Sequence, residues 1–108
     1  MTEPRTTTDA PTDASVEVQS EADPEAVAEA LQNSSYQAVC VTHNETSTGV
    51  TNDLEAIAAA VRRVRPDILL LVDAISSLGS IRCRVDPWDL DVVATGSQKG
   101  WMVPPGLA

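Results

Sequence analysis

The feature that most constrains the fold is a five-residue apolar run at 68–72, which ends on Asp73. An apolar run without alternating polar residues is typical of a strand buried on both faces of a parallel sheet. The segment before it has helical periodicity, with apolar residues on one face at Leu54, Ile57, Ala58, Val61 and Val64. A one-sided helix followed by a buried strand predicts an α/β fold, in which a parallel sheet has flanking helices.

Other apolar segments complete the expected sheet, with a helix near 53–64 between its first two strands. We predict short parallel strands near 37–42, 68–72 and 92–96. In such sheets ligands bind at the carboxyl ends of the strands. Polar clusters follow all three predicted strands, at 43–48, 73–77 and 95–99. We therefore expect any binding site to lie at this edge.

Polar residues predict where two helices begin. Asp23 suits the N-cap of the first helix, because its carboxylate can accept a free backbone N–H, and Pro24 suits the first turn. That helix is expected to end near 33–34. For the second helix, Asn52 is the predicted N-cap and Glu55 takes the capping-box position.

Composition limits the size and the partners of the fold. A chain of 108 residues, 43% of them hydrophobic and none of them Phe, suffices for one small domain with a core of Ala, Val, Leu and Ile. The net charge of −9 argues against a nucleic-acid partner. No apolar run approaches the roughly 18 residues of a membrane span. A soluble, cytoplasmic protein is therefore expected.

The N-terminal segment differs from the rest of the chain. Residues 1–15 are rich in Thr, Pro and acidic residues and have no apolar period, so we predict that they are disordered. Alternating valines favour a short strand near 16–18. The expected folded unit is then a partial domain over 16–108.

No metal site is expected. Cys40 and Cys83 have no second thiol or histidine at ligand spacing, which favours buried free thiols. Asp89 and Asp91 could in principle hold a divalent cation, but paired acids in an acidic loop are usually solvated.

Two charged residues follow predicted strands and suggest chemistry. Lys99 is the only lysine, and it lies in a turn of small residues, which suits an amine that acts in a cleft; the alternative is an ordinary surface lysine. Asp73 is either a cap or salt-bridge residue, or a carboxylate that faces a cationic ring nitrogen. An enzyme that uses pyridoxal phosphate requires both a lysine that bonds to the aldehyde and such a carboxylate.

Four segments, in order along the chain, support this interpretation. They read HNETSTGV at 43–50, VDAISSLG at 72–79, GSQK at 96–99 and PPG at 104–106. Together they resemble the class V aminotransferases of fold type I, most closely the alanine–glyoxylate and serine–glyoxylate aminotransferase group. The resemblance runs from about Asp23 to the last residue. It implies a homodimeric, pyridoxal-phosphate-dependent enzyme that transfers an amino group from an amino acid to glyoxylate or a related 2-oxo acid.

The resemblance also implies roles for individual residues. Lys99 would be the Schiff-base lysine, and Asp73 would pair with the pyridine nitrogen. Ile75 would pack on the ring, and Thr46 would hydrogen-bond its hydroxyl. Ser97 and Gln98 would bind the cofactor phosphate. His43 and Glu45 belong to the motif, but neither is assigned chemistry, and His43 could equally cap the strand end.

The departures from the family pattern define the alternatives. The chain has no counterpart of the small-residue phosphate loop, the aromatic that stacks on the ring, or the substrate-binding arginine of the C-terminal domain. We therefore expect a fragment of the large domain, inactive by itself. The competing hypotheses are a cysteine desulfurase-like relative, disfavoured because Gln98 stands where that group has histidine, and a non-catalytic acidic remnant or binding module.

Overall fold

The structure is a computed structural model that describes residues 21–108. The expectations for 1–15 and 16–18 lie outside the described residues. Within residues 21–108 the elements follow one another in the order α1 (Pro24–Gln32), β1 (Ala38–Thr42), β2 (Asn44–Glu45), β3 (Val50–Thr51), α2 (Leu54–Val64), β4 (Leu69–Asp73) and β5 (Val92–Ala94). The predicted α/β fold, with a parallel sheet and flanking helices, is confirmed.

The main sheet has the strand order β1-β4-β5, and both pairs of neighbours are parallel. In register, Thr42 lies beside Asp73, and Asp73 lies beside Ala94. The carboxyl ends of the three strands are therefore level. The predicted bounds were close, except that β5 ends at Ala94 rather than at residue 96.

The core lies between the two helices and one face of the sheet. Leu54 and Ala58 of α2 pack with Leu70 and Val72 of β4. A second cluster joins α1 to α2 and to the start of β4, through Leu31, Ile57, Val61 and Ile68.

The opposite sheet face corrects the prediction that the apolar strand is buried on both sides. Leu70 and Val72 are buried, but Leu69 is 51% exposed and Val92 of β5 is 54% exposed. The physical reason is that, within residues 21–108, both helices pack on the same face. The cysteine prediction is corrected as well: Cys40 is exposed on the uncovered face of β1, and Cys83, which lies outside the sheet, is only half-buried.

The cap of α2 is also corrected. Asp53, not Asn52, accepts the hydrogen bond from the Ala56 N–H, at 3.0 Å. Asn52 is held at the end of β1 instead: its N–H donates to the His43 carbonyl at 2.9 Å and its Nδ2 donates to the Thr42 carbonyl at 2.7 Å. The next residue therefore takes the cap position. At α1 the expected cap is confirmed, since Asp23 accepts from the Glu25 N–H.

The polar segment after β1 contains a small antiparallel hairpin, in which β2 pairs with β3. At the other end of the sheet, the acids at 89 and 91 are exposed to solvent, as expected, and they also pair with Arg62. Its guanidinium lies 2.9 Å from Asp89 Oδ2 and 2.7 Å from Asp91 Oδ2. Both carboxylates are thus paired.

Among residues 21–108, neither helix has the length and apolar character of a membrane span.

Candidate functional site

The turns that follow the three parallel strands are joined by hydrogen bonds that continue the sheet. The His43 N–H donates to the Asp73 carbonyl at 2.9 Å, and the Ala74 N–H donates to the Ala94 carbonyl at 2.9 Å. The three polar clusters expected at this edge are therefore neighbours. The middle turn, residues 74–80, lies between the other two.

Asp73, the last residue of β4, directs its carboxylate away from the helices. Its neighbours Val72 and Ala74 are buried, whereas Asp73 itself is exposed. Its Oδ1 accepts a hydrogen bond from the Ile75 N–H at 3.0 Å, which holds the carboxylate in a local turn. Within residues 21–108 no cationic side chain forms an ion pair with it. The carboxylate is thus oriented but not neutralised.

Three of the predicted site residues converge on Gly96. A Cβ atom at Gly96 would lie 3.2 Å from Lys99 Cγ, 3.3 Å from Gln98 Oε1 and 3.4 Å from Ile75 Cγ2. A side chain at position 96 would therefore occupy the space that these groups share. Sequence reasoning missed Gly96 as a site residue, although a glycine three positions before the lone lysine was a usable signal.

The hydroxyl of Ser97 is engaged within the chain. Ser97 Oγ donates to the Pro104 carbonyl at 2.8 Å and accepts from the Leu107 N–H at 3.4 Å. These bonds fold the C-terminal segment back onto the turn after β5. Ser97 would have to exchange its bond to Pro104 before its hydroxyl could donate to a ligand.

Thr46 lies exposed in the tip between β2 and β3. The tip is shaped by Glu45, whose Oε1 accepts from both the N–H and the hydroxyl of Ser47, at 3.0 and 2.9 Å. These hydrogen bonds hold the pKa of Glu45 below its usual value. A local role in shaping this turn agrees with assigning Glu45 no chemistry.

His43 is buried, with 3% of its surface exposed, and its Nδ1 lies 2.9 Å from Ser77 Oγ. Burial lowers the pKa of His43, which favours the neutral ring. Next to this pair, Asn44 Nδ2 donates to Ser76 Oγ, and Ser76 Oγ donates to the Asn44 carbonyl, both at 3.0 Å. These bonds join the end of β1 to the middle turn. The histidine therefore has a structural partner, which sequence reasoning had not identified.

The three arginines at the C-terminal end of α2 and its cap are directed away from this edge. Arg62 pairs with the two acids before β5, Arg63 pairs with Glu25, and Arg65 pairs with Asp67. None of the three is available to bind the carboxylate of a substrate at the carboxyl edge. Residues 21–108 contain no group of three or more His, Cys, Asp or Glu residues that could hold a metal ion.

An open α/β sheet with a lysine, a carboxylate and an apolar side chain at its carboxyl edge has the arrangement of a cofactor-binding enzyme domain. The sequence model of one family, described as Aminotransferase class-V, matches residues 7–108. The chain belongs to the class-V aminotransferase family. The match begins before Asp23, where the motif resemblance began.

Individual relatives agree with this assignment. The chain is 51% identical over 70 residues to the L-aspartate–glyoxylate aminotransferase of Paracoccus denitrificans. The aligned residues cover 65% of this chain and 18% of that protein. It is 58% identical over 72 residues to a protein of Synechococcus named soluble hydrogenase, small subunit, covering 67% of this chain and 18% of that one. The chain thus spans about a fifth of the length of the curated relatives it matches.

A solved structure shows the same fold. The ureidoglycine–glyoxylate aminotransferase of Bacillus subtilis superposes with a TM-score of 0.73 at 35% identity, over 82% of this chain and 22% of that one. The similarity therefore extends through most of the described residues.

Proposed function

We propose that this chain supplies the ring-binding part of a pyridoxal-phosphate-dependent aminotransferase that transfers an amino group from an amino acid to glyoxylate or a related 2-oxo acid. The observation that carries the proposal is the convergence of Lys99, Gln98 and Ile75 over Gly96, on the turns that neighbour Asp73. When bound, the cofactor supplies an electron sink that stabilises negative charge at the α-carbon of the amino acid.

The residues present fit such a ring. Asp73 presents a carboxylate without an ion-pair partner within residues 21–108, and that charge would hold a proton on the ring nitrogen. Ile75 is 40% exposed, so it offers apolar surface for one ring face. Thr46 is exposed and carries a hydroxyl suited to an anionic phenolic oxygen. Lys99 would supply the amine that condenses with the aldehyde, releasing the aldehyde oxygen as water, and that later carries a proton.

The phosphate has fewer partners in this chain. Gln98 Oε1 lies 3.3 Å from the position that a Cβ atom would take at Gly96, next to the stem of Lys99, so its side-chain amide would be a donor to a phosphate bound beside that lysine. The Ser97 hydroxyl would contribute only after leaving the Pro104 carbonyl. We therefore propose that the remaining phosphate ligands and the substrate arginine come from outside residues 21–108, and that the chain alone does not transaminate.

Two findings favour the aminotransferase over the competing hypotheses. Gln98 before the lysine disfavours the cysteine desulfurase-like alternative, and the aspartate–glyoxylate and ureidoglycine–glyoxylate names of the relatives favour glyoxylate as acceptor. A cytoplasmic location and a homodimer complete the proposal. A non-catalytic binding module stays the principal competitor, and it predicts that Lys99 has no special reactivity.

The test is to trap Lys99 chemically. The chain is incubated with pyridoxal phosphate and reduced with borohydride, and labelled peptides are identified by mass. Lys99 is the only lysine, so the N-terminal amine is the only other primary amine and serves as an internal control. We expect preferential labelling of Lys99, and labelling of only the N-terminus in Lys99→Arg. If Lys99 of the wild-type chain is labelled no more than the N-terminal amine, the proposal is overturned.

A further inference from the structure

The middle turn and the lysine turn touch through two glycines. A Cβ atom at Gly79 would lie 3.1 Å from the carbonyl carbon of Gly100 and 3.3 Å from its oxygen. No side chain separates the two backbones at this point. The contact joins the turn that begins after Asp73 to the turn that presents Lys99.

Of the two glycines, Gly100 has less room for a side chain. A Cβ atom there would lie 2.5 Å from the Leu78 carbonyl oxygen and 2.7 Å from Ser80 Oγ, distances that real Cβ atoms essentially never show. Gly100 is not among the described glycines with positive φ, which are Gly49, Gly79 and Gly106. The close approach, rather than backbone conformation, therefore requires glycine at position 100.

The carbonyl that a methyl group would strike is firmly held. The Leu78 N–H donates to the Ala74 carbonyl at 2.9 Å, and the N–H groups of Ser80 and Ile81 both donate to the Ser77 carbonyl, at 2.9 and 2.7 Å. Ser77 is in turn bonded to the buried His43. The middle turn cannot easily move away, so the lysine turn would have to move instead.

We propose that Gly100 is a positioning residue, whose bare backbone seats the lysine turn against the middle turn and so fixes Lys99 relative to Asp73. This inference rests on the proposed function. Restoring an ordinary contact of about 3.4 Å from 2.5 Å requires a shift of roughly 1 Å at Gly100. Lys99 is the adjacent residue, and a misplacement of about 1 Å can cost on the order of 100-fold in reactivity.

The experiment compares Gly100→Ala with Gly106→Ala in the full 108-residue chain. Gly106 is a matched control because a Cβ there has nothing within 4 Å, although its φ of 84° makes it the more strained substitution. Borohydride trapping with pyridoxal phosphate is the first readout. We expect Gly100→Ala to lower Lys99 labelling at least tenfold, with N-terminal labelling unchanged, and Gly106→Ala to stay within about twofold.

Hydrogen exchange is the second readout and needs no cofactor. In Gly100→Ala the Met102 amide, which donates to the Lys99 carbonyl, should exchange at least tenfold faster, whereas the Ser80 amide of the middle turn should keep its wild-type rate. The His43 amide, bonded to the Asp73 carbonyl, should keep its wild-type rate. Faster exchange at all three amides would mean global unfolding and would overturn a positioning role.

A double variant tests which atom matters. Ser80→Ala in the Gly100→Ala background removes the 2.7 Å contact but leaves the Leu78 carbonyl at 2.5 Å, so labelling should stay low. Full recovery would overturn the assignment to the backbone contact.

The two proposals fail differently. If the wild-type chain does not label Lys99, the proposed function fails, and unchanged exchange at Met102 in Gly100→Ala would then reject the contact as well. If the wild-type chain labels Lys99 and Gly100→Ala labels it equally, only the inference about Gly100 fails.

Discussion

The two ends of the parallel sheet use charged residues in opposite ways. At the amino end, Arg62 donates to the carbonyls of Ile68 and Asp89, at 2.6 and 2.7 Å, and pairs with Asp91. Asp91 Oδ2 also accepts from the Leu70 N–H at 2.7 Å. At the carboxyl end, Asp73 has no ion-pair partner within residues 21–108.

The difference indicates which end binds a ligand. At the amino end Arg62 and Asp91 bond to each other and to backbone groups of the strands and their flanks, so these charges fix the positions of β4 and β5. At the carboxyl end the carboxylate of Asp73 and the amine of Lys99 have no ion-pair partner among residues 21–108. Exposed charges without a partner in the fold can bind a ligand without first breaking an ion pair. Substitutions at the amino end should therefore change stability, and those at the carboxyl end should change reactivity.

The largest effect on stability is expected for Arg62→Met. The substitution keeps an apolar stem but removes the hydrogen bonds to two backbone carbonyls, so the free energy of unfolding should fall by about 2–3 kcal/mol. Urea denaturation measures it. Arg63→Met is the control, because Arg63 and Glu25 are 55% and 71% exposed, and its effect should stay within about 0.5 kcal/mol. Equal effects of the two substitutions would contradict this account of the amino end.

Asp91→Asn should have the next largest effect. The Leu70 N–H and the Arg62 guanidinium hold the pKa of Asp91 below its ordinary 3.8, so the folded state favours the charged form. That contribution is present above pH 3.8 and is lost as the pH falls through the lowered pKa. Asp91→Asn should lower the urea midpoint at pH 7 and flatten the acid limb of the stability curve. An unchanged midpoint would show that this ion pair does not stabilise the sheet.

A smaller, pH-dependent effect is expected from His43, the only histidine. Burial lowers its pKa from the ordinary 6.5, so the unfolded chain binds a proton more readily than the folded chain. Stability should therefore be constant above about pH 7.5 and decline as the pH falls below 6.5 towards the lowered value. Urea titrations from pH 8 to 5 measure the slope, and His43→Gln should remove it. A slope that persists in His43→Gln would assign the effect to other groups.

The smallest effect on stability is expected for Asp73→Asn. The amide oxygen can still accept from the Ile75 N–H, and no ion pair within residues 21–108 is lost, so the urea midpoint should match that of the wild type. Cofactor retention should nevertheless weaken, because an amide cannot hold the ring nitrogen protonated. Equilibrium dialysis with pyridoxal phosphate tests this. A lowered midpoint together with unchanged retention would make Asp73 a structural residue.

Much of this fold was predictable because local periodicity reports burial. The apolar positions of α2 and the apolar run of β4 predicted a helix on a parallel sheet, and Asp23 identified the start of α1. Errors arose where competition between neighbours decides the outcome. Asn52 is as good a cap as Asp53 by residue type, but the Asn52 side chain is bonded to the Thr42 carbonyl of β1, and Asp53 caps the helix instead.

The sequence by itself determined the α/β class, the strand that carries Asp73, the turn that carries Lys99, and the family. Each of these depends on residue types at short spacing, which local propensity and motif order express directly. Only the tertiary structure decided which sheet face is covered, that Ser77 is the partner of His43, and that Gly100 lies against the Leu78 carbonyl. Those contacts join residues far apart in the chain, so they depend on how the elements pack rather than on any local pattern.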